Sequence, residues 1–385
     1  MTDQAIVERL RADIPYLDGR VYVDNASVSP MSRRVQAASA RYDGIIATQL
    51  RDAKQHALPV FDRGRALAAK LVGARADQVT YVQNTSHGLS LVALGLDWRP
   101  GDNLVVCAQE FPSNYLCWIQ LEEQGVEVRR IDATNGRLTP DQVRAVCDAR
   151  TRIVSLSHVQ YFSGFRADLS AMADLCREVG ALLVVDGTQS VGAVGIDVGA
   201  SGVDVLVVSA HKWLMGPRGI GFAAFSDRAL GAIVPRVVGW LSVNAPYAFN
   251  RTLDFLPDAR RYEAGTPNGC GIFGLTERLA EIDEIGMDWI ESRILDLGAL
   301  LREEARRHGL DLAYDFERTS ASGINLLSHP RVSPGDMLAH LNDANIYASL
   351  RGGAIRVAPH CYNTTCEIQR IVHTMIDHLG RGANR

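Results

Sequence analysis

Short runs of apolar and β-branched residues alternate with amphipathic stretches through the middle of the chain. The runs fall at 78–83, 103–108, 127–131, 153–158, 182–186, 205–209 and 221–225. Several are apolar almost throughout, the pattern of strands covered on both faces. Between them, 87–96, 113–124, 140–148 and 169–179 read as helices, the third opened by Thr139 with Pro140 at its first position. Strands alternating with helices predict an α/β fold built on a mostly parallel, helix-covered sheet.

After about residue 272 the pattern changes to one long charged helix over 275–308, followed by shorter strands near 323–327 and 355–358. This predicts a second, smaller α+β domain, with its boundary just after the Gly-rich stretch 265–271. The expected division is a large domain over 15–270 and a small C-terminal domain over 271–385, on which residues 1–14 are free to pack.

The length, 385 residues, accommodates two such domains. Lys and Arg number 40 against 44 Asp and Glu, a net charge of −4, so the basic surplus that a nucleic-acid binder needs is missing. The first turns carry Asp3, Glu8, Arg9, Arg11 and Asp13, which is not the apolar core of a signal peptide. The most apolar region, 181–210, is broken by Asp186, Asp197 and Asp204 and falls short of a membrane span. A cytoplasmic protein with neither nucleic-acid nor membrane partners is expected. Seven widely spaced cysteines without a CxxC pair fit neither a disulfide framework nor a zinc site.

Two of the buried-strand patterns end in polar residues. Leu182-Leu-Val-Val-Asp186 is followed by Gly-Thr-Gln-Ser-Val, and Val205-Leu-Val-Val-Ser209 by Ala-His-Lys-Trp213. Open α/β sheets bind ligands at the carboxyl ends of their strands, so Asp186, Ser209, His211 and Lys212 are expected to face one crevice. A Lys directly after an apolar strand has to be paired or have a shifted pKa, and is suited to Schiff-base chemistry. Taken singly, Asp186 fits a turn and Lys212 a solvent-reaching surface residue equally well. Their spacing as two neighbouring strand ends favours a site.

These two motifs resemble the core of the class V aminotransferase family of fold-type I pyridoxal 5′-phosphate enzymes, which includes cysteine desulfurases, cysteine lyases, kynureninases and isopenicillin-N-epimerase-like proteins. The likeness extends in order through Tyr22-Val-Asp-Asn-Ala-Ser27, Asn84-Thr-Ser-His-Gly88, Glu110-Phe-Pro-Ser-Asn114, Ser157-His-Val-Gln-Tyr161, Arg261-Tyr-Glu-Ala-Gly-Thr-Pro-Asn268 and Ile355-Arg-Val-Ala-Pro-His360. It implies a large domain with a mostly parallel seven-stranded sheet and a smaller α+β domain.

The resemblance also implies roles. Lys212 forms the Schiff base with the cofactor and later moves the α-proton. Asp186 pairs with the pyridinium nitrogen, and Gln189 hydrogen-bonds the phenolic oxygen. Thr85, Ser86, Ser209 and His211 match phosphate contacts; for Thr85 and Ser86 a plain helix N-cap is compatible with that role. Thr266 matches a position that reaches the phosphate of the neighbouring subunit, which implies a homodimer with shared active sites.

Phe111 stands where desulfurases carry a His that stacks on the pyridine ring, so the flat face is kept and the proton-transfer capacity is lost; a plain core Phe is the alternative. Arg356 matches the Arg that binds the substrate's carboxylate, which implies an amino-acid substrate. His158 fits a pocket residue and a core histidine equally, the roles of Arg351 and His360 stay open, and Tyr161 replaces an Asn found near the phenolic oxygen in relatives.

The desulfurases place their persulfide-forming Cys in a loop before the carboxylate-binding Arg. Here the segment 349–354 is short and holds no Cys, and Cys361 and Cys366 follow Arg356. The expectation is therefore a lyase-type β-elimination without a catalytic Cys, with transamination, epimerisation and cyclisation as rivals. A non-catalytic fold relative has no use for both Lys212 and Asp186, and a dinucleotide enzyme lacks its GxGxxG.

Overall fold

The computed structural model describes residues 2–249 and 251–382, and the side chains of these up to Asp377. The ends of the expected domains at 1 and 383–385 lie outside the described residues.

The strands are β1 (Val21–Tyr22), β2 (Val79–Val82), β3 (Asn103–Cys107), β4 (Glu127–Ile131), β5 (Thr151–Ser157), β6 (Leu182–Asp186) and β7 (Val205–Ser209). They continue with β8 (Gly221–Phe225), β9 (Asp311–Leu312), β10 (Asn325–Ser328), β11 (Ile346–Tyr347), β12 (Ser349–Arg351) and β13 (Ala354–Val357). A seven-stranded sheet runs β2-β8-β7-β6-β5-β3-β4, and only β8 is antiparallel to its neighbours.

The central strands are apolar on both faces because both are covered. Leu183, Val185, Leu206 and Val208 share one core with Met172 and Cys176 of helix Leu169–Val179 and with Ile272 and Leu275 of helix Gly269–Ile285. The alternate residues Leu182, Val184, Val205 and Val207 face a second core with Leu89 and Val92 of helix Thr85–Gly95 and with Trp118. Gly88 lets that helix lie against the sheet, since a Cβ there would come within 2.4 Å of Val207 Cγ1.

Four elements depart from the sequence reading. The helix expected at 87 starts at Thr85, because the Asn84 side chain accepts from the His87 N–H and caps it two residues earlier. The segment 113–124 is an α-helix, Ser113–Ile119, followed by a 3-10 turn, Gln120–Gln124, that ends at the left-handed Gly125. The helix expected over 140–148 ends at Arg144. The long helix over 275–308 is two, Gly269–Ile285 and Met287–Arg307, separated by Gly286 at φ 92°.

The first of these two begins inside the stretch read as a boundary, and it packs on helices Arg33–Thr48 and Ala53–Val72. A third core joins Val21 and Val23 to Leu297, Leu301, Leu327, Ile355 and Ile371, so the chain around β1 packs with C-terminal elements. β1 pairs with β11, and β9, β10, β13 and β12 form a second sheet. Arg11 reaches Glu367 at 2.9 Å. We propose that the smaller unit begins after Gly286 and includes the β1 segment. Among the described residues no helix is long and apolar enough to cross a membrane, and no group of His, Cys, Asp and Glu is arranged to hold a metal.

Candidate active site

β5, β6 and β7 are parallel neighbours, with Ser157 opposite Asp186 and Asp186 opposite Val207. Their carboxyl ends open into a cleft of about 360 Å³ lined by Thr85, Ser86, Phe111, Asp186, Gln189, Ser209, His211, Lys212 and Arg356. Nine of the ten residues assigned by sequence thus meet in one place. The tenth, Thr266, is exposed and lines a separate groove with Gln83, His87 and Gly219.

Asp186 is buried and accepts the Thr188 N–H at 2.9 Å. Burial pushes its carboxyl above the ordinary range, against the pull of Lys212. Lys212 is 9% exposed. Burial brings its amine down to about 8; Asp186 opposes the shift, and Arg356 and Arg351 add to it. An amine at that value is substantially unprotonated at mildly alkaline pH, as a nucleophile and base must be. Its Nζ lies 5.0 Å from the centre of the Phe111 ring, which in turn meets Tyr161 edge-on at 5.4 Å.

The backbone around Lys212 is clamped. Met215 adopts φ 52° and its N–H returns to the Lys212 carbonyl at 2.7 Å. The Trp213 indole N–H donates to Gln189 Oε1 at 2.8 Å, and Gln189 Nε2 donates to the Ala26 carbonyl at 2.9 Å. Gln189 is therefore buried and held at both ends, not a surface residue. His360 does not line the cleft. Its Nε2 sits 2.9 Å from the Trp213 carbonyl, while its Nδ1 accepts the Cys361 N–H at 2.8 Å. Burial brings the ring down to about 3, so it is neutral, and these partners assign the proton to Nε2. Arg278, ion-paired with Glu281, donates through Nε to the Leu214 carbonyl at 2.9 Å.

At the N-terminus of helix Thr85–Gly95 three hydroxyls form one cluster. Thr85 Oγ1 is 2.6 Å from Thr188 Oγ1 and 2.7 Å from Ser209 Oγ, which also accepts the Thr85 N–H at 2.9 Å. Ser86 is exposed and donates to Ser113 Oγ at 2.8 Å. Burial brings His211 down to about 4, so it is neutral. Hydroxyls at a helix N-terminus suit a phosphate.

Arg356, on β13, is 1% exposed. It donates to Ser349 Oγ at 3.3 Å, the Tyr161 carbonyl at 3.3 Å, Asp24 Oδ1 at 3.2 Å and Ser27 Oγ at 2.5 Å. Arg351 also lines the cleft. His158 does not: it lines a groove with Arg166 and Asp168, its Nδ1 has no partner, and burial brings it down to about 3. Sequence reading missed Asp24, Ser27, Thr188 and Glu110, although each lies in a motif it quoted. Glu110 is buried behind Phe111, accepts from Ser157 N–H and Gln160 Nε2 at 2.7 Å each, and is pushed up to about 7 by burial. None of the seven cysteines lines the cleft; Cys361 is buried with its thiol pushed up to about 12, and Cys366 is exposed.

A buried amine facing a buried acid across two strand ends, an aromatic face above the amine, and a hydroxyl cluster at a helix N-terminus fit pyridoxal 5′-phosphate as a donor set. The fold and site define an enzyme of the pyridoxal-phosphate type. The family model described as aminotransferase class-V matches residues 21–374, and the chain belongs to that family of pyridoxal 5′-phosphate-dependent enzymes.

A probable cysteine desulfurase of Methanothermobacter thermautotrophicus is 28% identical, covering 97% of this chain and 98% of its own length. A cysteine desulfurase of Salmonella agona is 30% identical over 92% of this chain and 89% of its own. Among solved structures, the apo cysteine desulfurase of Thermococcus onnurineus superposes with a TM-score of 0.88 at 25% identity, covering 97% of this chain and 98% of that one. A cystine C–S lyase in complex with its product, cysteine persulfide, superposes at 0.87 with 20% identity over 94% of this chain and 99% of that one, a likeness of fold.

Proposed function

We propose that the enzyme is a lyase that eliminates a β-substituent from an α-amino acid without a catalytic cysteine. The observation that carries the reading is Lys212, a buried amine with a pKa of about 8 at the end of β7, beside Asp186 and in the same cleft as Arg356. The cofactor, when bound, supplies an electron sink for the charge left when a bond to the α-carbon breaks.

This chain's residues do the rest. Asp186 holds the ring nitrogen's proton. Thr85, Ser86, Ser209 and His211 hold the phosphate, with Thr266 reaching the site of the partner subunit. Phe111 covers the ring, Gln189 faces the phenolic oxygen, and Arg356 orients the α-carboxylate. Lys212 Nζ takes the α-proton. No thiol stands in the cleft to receive a transferred sulfur, so the leaving group departs to solvent.

A homodimer and a cytoplasmic location belong to this reading. Val234, Val237, Val238, Trp240, Tyr247 and Leu253 are exposed apolar residues of one segment. Lys54 Nζ lies 3.4 Å from the Tyr247 ring centre and ties that segment to helix Ala53–Val72. This apolar surface supports a subunit interface, and the cysteines, all unpaired, are compatible with a cytoplasmic location.

The test is incubation of the cofactor-loaded enzyme with amino acids that carry or lack β-leaving groups, assaying keto acid, ammonia and sulfide. Keto acid with stoichiometric ammonia supports elimination. Keto acid without ammonia means transamination, and loss of chirality at Cα with neither product means epimerisation.

A further inference from the structure

The cleft contains two guanidinium groups, and their surroundings differ. Arg356 is almost wholly buried, and four of its N–H bonds are directed to Ser349, Tyr161, Asp24 and Ser27. Asp24 is also its counter-charge at 3.2 Å. Arg351 is half-buried and donates once, to the carbonyl of its neighbour Leu350 at 2.6 Å. Among the described residues it has no ion pair.

The strand register fixes how these groups relate. β12 and β13 are antiparallel, with Ser349 opposite Arg356 and Arg351 opposite Ala354. Residues 349 and 351 alternate onto one face, so Arg351 and Arg356 are diagonal neighbours on the same face, with backbones separated by about 7–8 Å. Both side chains line the cleft that holds Lys212. Two like charges held this close repel each other. Asp24 compensates one of them and no described carboxylate pairs with the other, so the substrate end of the cleft carries an unneutralised cation with donors left on its planar fork.

On the reading of this cleft as an amino-acid site, we propose that Arg351 forms a second anion subsite, and that the preferred substrates are α-amino acids whose side chain carries a carboxylate or a similar anion. Arg356 receives the α-carboxylate and Arg351 the side-chain anion. A neutral side chain leaves the Arg351 charge unmatched in a partly desolvated cleft, which is the basis of discrimination.

The experiment compares near-isosteric pairs, L-aspartate with L-asparagine and L-glutamate with L-glutamine, by cofactor absorption and by calorimetric titration of the cofactor-loaded enzyme. The acidic member of at least one pair is expected to bind at least tenfold tighter. In Arg351→Gln that ratio is expected to fall towards one, and in Arg351→Lys to be partly kept. Equal affinities within both pairs in the unsubstituted enzyme overturn the proposal. So does an Arg351→Gln enzyme that weakens both members of each pair alike, because that assigns Arg351 to the α-carboxylate. Thermal melting of both variants identifies a folding defect. Calorimetry needs no cofactor band, so a protein that loads no pyridoxal phosphate on Lys212 overturns the reading of the cleft, while the ratio within the pairs still decides this proposal.

Discussion

Asp24 Oδ1 lies 3.2 Å from Arg356 Nη2, so the guanidinium proposed to receive the substrate's carboxylate already holds a carboxylate of its own chain. The two residues are 332 positions apart, and each is reinforced by Ser349, which donates to Asp24 at 2.6 Å and accepts from Arg356 at 3.3 Å.

Removing the acid leaves the arginine buried and unpaired. Asp24→Asn is expected to destabilise the cofactor-free protein by about 3–5 kcal/mol, the range for breaking one side of a buried pair. Denaturant unfolding checks this; unchanged stability would mean that Ser27 and Ser349 alone hold the guanidinium.

Lys212 carries a burial penalty, which suits the base proposed for it. The folded amine titrates at about 8 against 10.5 in the unfolded chain. The penalty is therefore fully present below pH 8 and is relieved as pH rises to 10.5. Lys212→Met is expected to stabilise the cofactor-free protein by about 3 kcal/mol at pH 7, and the gain is expected to vanish above pH 10.5. The same variant loses covalent cofactor attachment, read from absorption.

Glu110 gives the opposite slope. Its carboxyl is pushed from 4.5 up to about 7 by burial, so the folded state binds the extra proton between those values. The stability it contributes is present below pH 4.5 and lost as pH rises through 7. Glu110→Gln keeps the shape without the titration. The stability of the unsubstituted protein relative to this variant is expected to decline between pH 4.5 and 7, as unfolding at a series of pH values measures.

His360 holds the carbonyl of Trp213, the residue after Lys212. His360→Phe keeps an aromatic ring beside Tyr362 but leaves the Trp213 carbonyl without its donor, a loss of about 1–3 kcal/mol. Weaker retention of the cofactor during dialysis is expected with it; full retention and unchanged stability would remove His360 from the clamp.

The central strands of the large sheet were legible because they are buried on both faces: β6, β7 and β8 begin and end where the apolar runs do. β4, at the edge, was legible with its charged Glu127 and Arg130 exposed and Val128 and Ile131 buried. Gly286 was not legible as a break, since the apolar period continues across it and a lone glycine inside a helical pattern is tolerated. β1 and β11 have two residues each, too few for a period.

Within the site, Asp186 and Lys212 declared themselves by following apolar strands. Asp24 lies in the quoted Tyr22–Ser27 motif with nothing beside it to single it out, and its partner is brought to it only by the tertiary fold. His360 carries no local sign that its ring reaches a carbonyl 147 residues away. Residues defined by what they are brought against, rather than by what flanks them, are those that sequence periodicity leaves unread.

The His360 contact also sets an order of events during synthesis. The carbonyl of Trp213, the residue after Lys212, is held by a residue 147 positions further on, and that contact cannot close until residue 360 has been made. A nascent chain that has already made the whole large sheet still lacks the histidine that holds the Trp213 carbonyl. The proposed amine site is thus complete only in the finished polypeptide, and a chain truncated before residue 360 holds Lys212 without the contact that fixes its neighbour's carbonyl.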